Sequence, residues 1–275
     1  LVLFALWPRM WVAPLAHLQS AWDVLKDQNM PEYYLGDLVQ HPPWHYFPAY
    51  LLVTTPVVVL ALGLVAGPFA AALARKRNAL ILVVWLLMPF GVEWSPVRQD
   101  GVRYILAAFV PLTLSASLGF CWLADRVSWP RARAALPFVL GAYLAVSDLC
   151  VYPYFLDYYG EQVGGPATVA RHRWFEVGWW GEGIGEAVDY VNARAETGDT
   201  VYKAIQPIHV NWFRHDLWAN TTLSSARWVL VNEMGRIAHP MIYRAPFVLP
   251  GDLTLAYQVT VQGAPLVSVY RRELP

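Results

Sequence analysis

Charge is what this chain has least of. Lys, Arg, Asp and Glu make up 15% of its 275 residues and cancel to a net of zero. That leaves no basic field for nucleic acid and too few charges for an ordinary soluble surface. Cysteine is nearly absent as well. Cys121 and Cys150 are the two, near opposite ends of consecutive apolar runs. At about 1.5 Å per helical residue they fall on opposite sides of a bilayer, beyond disulfide reach. Each reads as a small buried hydrophobe. The polar C-terminal tail has no P-loop and no GxGxxG fingerprint, so the common glycine-rich phosphate loops are excluded from it. Leu1 opens the chain with no charged segment ahead of an apolar one, and its start does not read as a signal peptide.

What is present is apolar and aromatic. Five apolar stretches run from about Leu1 to Leu15, Tyr46 to Gly67, Ala79 to Trp94, Val102 to Ala124 and Ala134 to Pro153. A spanning helix needs roughly 20 apolar residues, and the second, fourth and fifth stretches meet that length. The first, LVLFALWPRMWVAPL, is interrupted by Pro8 and Arg9. It reads as the second half of a helix, and the chain as the C-terminal part of something larger. Trp44, Tyr46, Tyr50, Trp94, Tyr104, Trp129, Tyr152 and Tyr154 sit at the ends of apolar runs, where an aromatic belt meets the membrane surface.

Arg75, Lys76 and Arg77 follow the second run, and Arg126, Arg131 and Arg133 follow the fourth. Basic residues in alternate loops put both on the cytoplasmic side. The loop from Ala16 to His45, the turn from Ser95 to Gly101 and everything after Tyr154 then lie outside. The expected fold is a polytopic α-helical membrane region over 1–153 and a small α+β (or α/β) extracytoplasmic domain over 154–275. In that domain Ile184, Ala187, Val188, Val191 and Ala195 recur at helical spacing, with Gly198 closing the helix. Strands are expected at Thr200–Ile205, Arg227–Val231, Thr254–Val261 and Leu266–Arg271, the last two joined by a Gln262-Gly263 turn.

Two outer segments hold the candidate chemistry. In the first, Ser20 to Gln28 is a short amphipathic stretch, and His41 and His45 follow at the four-residue spacing of a helical metal pair. Pro42 and Pro43 between them forbid an ordinary helix interior. A proline-stiffened interfacial loop and a wall of a substrate pocket are the other readings. In the second, Arg98, Asp100 and Arg103 stand with Tyr104 at the mouth of the fourth run. Such guanidinium groups suit a phosphate, or they anchor the helix end among lipid headgroups.

These segments carry a resemblance. PPWHYFPAYLLVTTP, through Pro43, Trp44, His45, Tyr46, Pro48, Thr55 and Pro56, resembles the outer-loop-to-helix junction of GT-C membrane glycosyltransferases. The similarity is to the protein O-mannosyltransferases and aminoarabinose transferases. SPVRQDGVRYILAAFVPL resembles their basic turn, through Arg98, Asp100, Arg103, Tyr104 and Pro111. Tyr152 to Gly165 and then GWWGEGIGEAVDYVN are similar to the tail of prokaryotic members.

The resemblance implies a polyprenyl-phosphate sugar donor and a protein or glycan acceptor on the outer face of the bilayer. It implies donor contacts from Arg98, Asp100, Arg103, Tyr104, Trp44, His45 and His41. It places the catalytic carboxylate in a first outer loop to which no residue here maps, leaving no catalytic residue to name. A divalent metal ion stays open as a cofactor without being demanded. Trp179-Trp180-Gly181-Glu182-Gly183 is a faint echo of an oligosaccharyltransferase acceptor motif, or a packed helix start with Glu182 at the positive end of the dipole. Two other functions stay open. One is a non-catalytic anchor presenting an outer recognition domain; the other is a transporter subunit, for which Asp148 is the one charge within the fifth run.

Overall fold

Proline sets the breaks between the first helices. The computed structural model describes residues 8–26, 32–94, 101–178, 180–204, 212–219, 221–233, 236 and 247–273. Arg98, Asp100, Trp179 and the Asn220 of a glycosylation sequon lie outside them. The chain divides into two compact units, Leu1–Arg133 and Ala134–Pro275.

In the first unit, Pro14–Lys26 forms helix α1, longer than the amphipathic stretch expected there. Glu32–Tyr34 (β1) and Asp37–Val39 (β2) pair as an antiparallel hairpin, where the sequence reading had only loop. Leu35 and Gly36 both have positive φ, the geometry that lets two residues join strands without splaying them. The expected single helix from Tyr46 to Gly67 is instead two. Tyr46–Val53 is α2, and Pro56 forces a new start at Val57 because it has no N–H to donate. The hydroxyls of Thr54 and Thr55 donate to the carbonyls of Tyr50 and Leu51 at 2.6 Å each, serving the last turn of α2. Helix α3 then runs Val57–Ala74, past the expected end at Gly67. Its Ala61–Ala66 portion is wound as a wider π-turn.

The third apolar run does not form one long α-helix. Lys76–Leu87 (α4) is α-helical, and Met88–Trp94 continues as the tighter 3₁₀ form. The α-helical part rises about 18 Å and the 3₁₀ part about 14 Å, close to the thickness of a hydrocarbon core. Val102–Ala124 (α5) follows, its first turn 3₁₀. A Cβ on Gly63 would meet Leu112, one on Gly67 would meet Ser115, and one on Gly119 would meet Ala66 and Gly67. These contacts advance together along both chains, so α3 and α5 lie side by side and parallel. The packing is a small-xxx-small seam, Gly63/Gly67 against Ser115/Gly119, the kind that lets membrane helices approach closely.

Pro130–Val151 (α6) leads into the second unit. Among the described residues α3, α5 and α6 are the three helices long and apolar enough to cross a membrane. Cys121 and Cys150 are free, and both are exposed on their helices rather than buried as expected.

The second unit is a mixed sheet with helices, the α+β arrangement expected. Gly165–His172 (α7) was not foreseen. Ile184–Arg194 (α8) buries Ile184, Ala187, Val188 and Val191 on one face, as the spacing predicts. It ends at Arg194 with Ala195 extended, before Gly198. The sheet has the order β3-β4-β6-β5, built from Val201–Ala204, Trp228–Asn232, Ala264–Arg272 and Leu253–Val261. The β3–β4 pair is parallel and the others antiparallel. Gln262 and Gly263 make the expected turn between β5 and β6, both with positive φ. Every residue of β4 is buried, as befits a strand with neighbours on both sides.

Asp199 ties the sheet edge to the loops. It accepts from the Trp228 indole at 2.9 Å, the Arg227 guanidinium at 2.7 Å and the Glu196 N–H at 3.0 Å. Burial works to raise its pKa, and these bonds together outweigh burial and lower it.

Candidate functional site

In the first unit the two outer segments named by the sequence meet. The hairpin buries Tyr33 and Tyr34. The Tyr34 ring lies 5.7 Å from His45 and 5.2 Å from Tyr46. Tyr46 lies 4.7 Å from Tyr50 and 5.2 Å from Phe47, and Trp44 sits edge-on to His45 at 5.5 Å. These are offset and tilted contacts of the favourable kind for aromatic rings. The fully buried Tyr46 then reaches out of its own segment, its hydroxyl accepting the Gly101 N–H at 2.9 Å. Gly101 has φ +66°, a left-handed conformation open to glycine without strain. That bond holds the start of α5, and with it Arg103 and Tyr104, against the aromatic loop.

The predicted residues are distributed unevenly over this arrangement. Trp44 is 76% exposed, and His41 is exposed while His45 is half-buried. Arg103 is exposed with its guanidinium 5.2 Å from the Tyr104 ring. No helix runs through His41 to His45, so the four-residue spacing does not place these two on one helix face. No group of three metal-ligating side chains occurs among the described residues. The exposed Trp44 indole offers a stacking surface of the kind that suits a sugar ring, and the exposed Arg103 guanidinium a multi-donor group of the kind that suits a phosphate.

Glu32 is 2% exposed in β1, a burial that the sequence analysis does not foresee. The two short runs around Leu35-Gly36 were the available signal for its burial.

The second unit holds another unforeseen group. Asp157 is 1% exposed. One of its carboxyl oxygens accepts the Gly178 N–H at 2.6 Å, and the other has no hydrogen-bond partner among the described residues. Burial pushes its pKa up to about 7; the Gly178 bond opposes the rise and the charge of Glu182 adds to it. Glu182 itself accepts the Trp180 N–H at 2.8 Å, just ahead of α8, as expected of an acid at a helix N-terminus. Tyr154 donates to Glu186, and burial, then Glu186, raises its phenol pKa. Asp157 follows a tyrosine-rich run with no periodicity to mark it as buried.

Comparison of the chain with protein-family models, with curated proteins and with solved structures finds no match in any of the three.

Proposed function

We propose that the chain is the C-terminal portion of an integral-membrane glycosyltransferase that moves a sugar from a polyprenyl-phosphate donor to a protein or glycan acceptor on the outer face. The observation that carries this reading is the Tyr46–Gly101 bond. It brings together two segments 55 residues apart, each with its own likeness to GT-C enzymes, one carrying the exposed Trp44 indole and the other the exposed Arg103 guanidinium. Stabilising the charge that develops on a departing lipid phosphate is the main electrostatic demand of such a transfer, and Arg103 is the described residue suited to it.

The membrane arrangement follows the same reading. Parallel α3 and α5 require the segment between them to return across the bilayer, and α4 with its 3₁₀ extension has the length. Arg75–Arg77 and Arg126–Arg133 are then cytoplasmic, and the second unit is extracytoplasmic, with the protein in a cell membrane.

The test is saturable binding of radiolabelled polyprenyl-phosphate mannose, glucose and arabinose-type donors to the protein in nanodiscs. One donor binds, Arg103→Ala weakens it by about tenfold or more, the scale of one lost charge-assisted contact, and Arg103→Lys falls between. Unaltered donor affinity in Arg103→Ala overturns the role of that residue. No binding of any donor, with glycan capture by the second unit, favours the anchor reading.

A further inference from the structure

Within the first unit a groove of about 410 Å³ runs between α4 and α5. Asn78, Ile81 and Leu82 line it from α4, and Leu114, Ser117, Leu118 and Cys121 line it from α5. Each set is spaced by three and four residues, so each forms one stripe down its helix. All are exposed except the half-buried Leu82. Ser117 donates its hydroxyl to the Thr113 carbonyl at 2.9 Å, which leaves the walls beyond Asn78 apolar.

One end of the groove is basic. Arg75 alone joins α3 to α4, and its extended backbone turns the chain there. Arg75, Lys76 and Arg77 are exposed, and no acid among the described residues pairs with them. Arg75 stands three residues before Asn78, over the stripe that lines the groove, with Arg77 at its side. Lys76 is two residues from Asn78, about 200° round the helix, and faces away. Asp125, one turn beyond Cys121, pairs with Arg133 and so cancels none of this charge.

Depth agrees with a lipid. Asn78 lies about 3 Å from the start of α4, and Leu114 about 15 Å from Ala124 at the end of α5. The groove therefore spans one half of a hydrocarbon core about 30 Å thick, the depth of one leaflet's acyl chains. Along α5 it is about 27 Å from Arg103 to Cys121, so this mouth is separate from the one proposed for the donor. Apolar surfaces have no hydrophobic drive to associate within lipid, and the chain in the groove selects little. Selection falls to the headgroup. Two guanidinium groups attract a phosphate and repel the ammonium of a zwitterionic head.

We propose that this groove seats one phospholipid with a net anionic head, its phosphate at Arg75 and Arg77 and an acyl chain between Ile81 and Leu118. This rests on the reading of α3, α4 and α5 as spans, with the Arg75 end at the cytoplasmic surface in the arrangement proposed above.

An alkaline wash of membranes carrying the full chain tests that reading first. Release into the supernatant overturns the spans and this inference with them. If the chain is retained, native mass spectrometry of the detergent-purified protein is titrated with dioleoyl phosphatidylglycerol and dioleoyl phosphatidylcholine. A basic residue near the membrane surface is worth about fivefold toward an anionic lipid, so two give a preference of about tenfold or more for the glycerol lipid. Arg75→Gln with Arg77→Gln brings the two lipids within about twofold, and Lys76→Gln shifts their ratio by less than about twofold. Leu118→Trp fills the groove and lowers retention of both lipids. Leu80→Trp, at the same depth outside the groove, does not. Equal affinity for the two lipids in the unaltered chain overturns the proposal and leaves the spans standing. So does an unchanged preference in the double arginine variant, or equal effects of the two tryptophans. A lipid-free dimer that Leu118→Trp dissociates overturns it in favour of a second copy of the chain.

Discussion

Ser115 on α5 donates its hydroxyl to the carbonyl of Gly63 on α3, 2.6 Å away and buried. The acceptor lies within the π-wound turn Ala61–Ala66, where the regular i→i−4 ladder is interrupted and a carbonyl needs another donor. One hydroxyl therefore serves both helix association and the local winding.

Substitution in this seam separates the two effects. Ser115→Ala is expected to lower stability by about 0.6–2 kcal/mol, the range for interhelical hydrogen bonds in membranes. Gly67→Ala is expected to do more harm, because its Cβ would lie 2.1 Å from the Ser115 carbonyl oxygen. Backbone must move to admit it, which typically costs about 1–3 kcal/mol. Thermal unfolding in a fixed detergent checks both, and a Gly67→Ala protein as stable as the parent contradicts the close approach.

Tyr46→Phe keeps the aromatic stack and removes the acceptor for Gly101. The expected loss is about 1–3 kcal/mol for leaving a buried N–H unserved. Donor affinity should fall with it, although residue 46 contacts no donor in the proposed site. Gly101→Ala, strained by its positive φ, should give the same pair of effects, read by unfolding and by the binding assay above.

Asp157 gives the chain a pH signature. Its folded pKa near 7 lies above the ordinary value of about 3.9. The fold therefore keeps a proton that the unfolded chain has already released. The resulting stability is fully present below about pH 4 and is lost as pH rises to about 7. Asp157→Asn imitates the protonated form and removes this dependence, so the gap in melting temperature between variant and parent should widen from pH 5 to pH 8. Glu233 is also raised by its burial, and the comparison between variant and parent cancels that contribution. A gap that stays constant with pH overturns the assignment to Asp157.

Asp199 should behave in the opposite sense. Its lowered pKa contributes stability that is present above the unfolded value and lost as pH falls below it. Asp199→Ala strands the Trp228 indole and leaves a mostly buried Arg227 with Glu196 as its remaining carboxylate. Removing one partner of a buried pair commonly costs about 3–5 kcal/mol. Denaturant unfolding of the full chain reads the loss, which should be smaller in Asp199→Asn.

The long apolar helices and the last hairpin were legible because each rests on local pattern. Val102–Ala124 is marked by length, and β5 and β6 by alternation around Gln262-Gly263. What escaped was set by contacts distant in sequence or by winding. Nothing near Met88 announces a change from α to 3₁₀, and nothing near Ala61 announces a π-turn served by Ser115, 52 residues away from Gly63. The first candidate site was half legible. Trp44 and Arg103 stand out as residue types, while the bond that joins their segments depends on Tyr46, which reads as one more aromatic in a greasy run. Asp157 was not legible at all, since burial of a lone acid is a property of the folded surroundings.

The mixed winding of the third apolar run gives that segment an adjustable length. A residue passing from 3₁₀ to α winding shortens the axis by about 0.5 Å. Seven residues, Met88–Trp94, thus hold about 3.5 Å of slack, comparable to the few ångströms by which natural bilayers differ in thickness. The neighbouring α3 and α5, locked by glycines, have no such freedom. In the membrane arrangement proposed above, a thinner or thicker bilayer would be absorbed by recoiling this one strut, leaving the glycine seam beside it undisturbed.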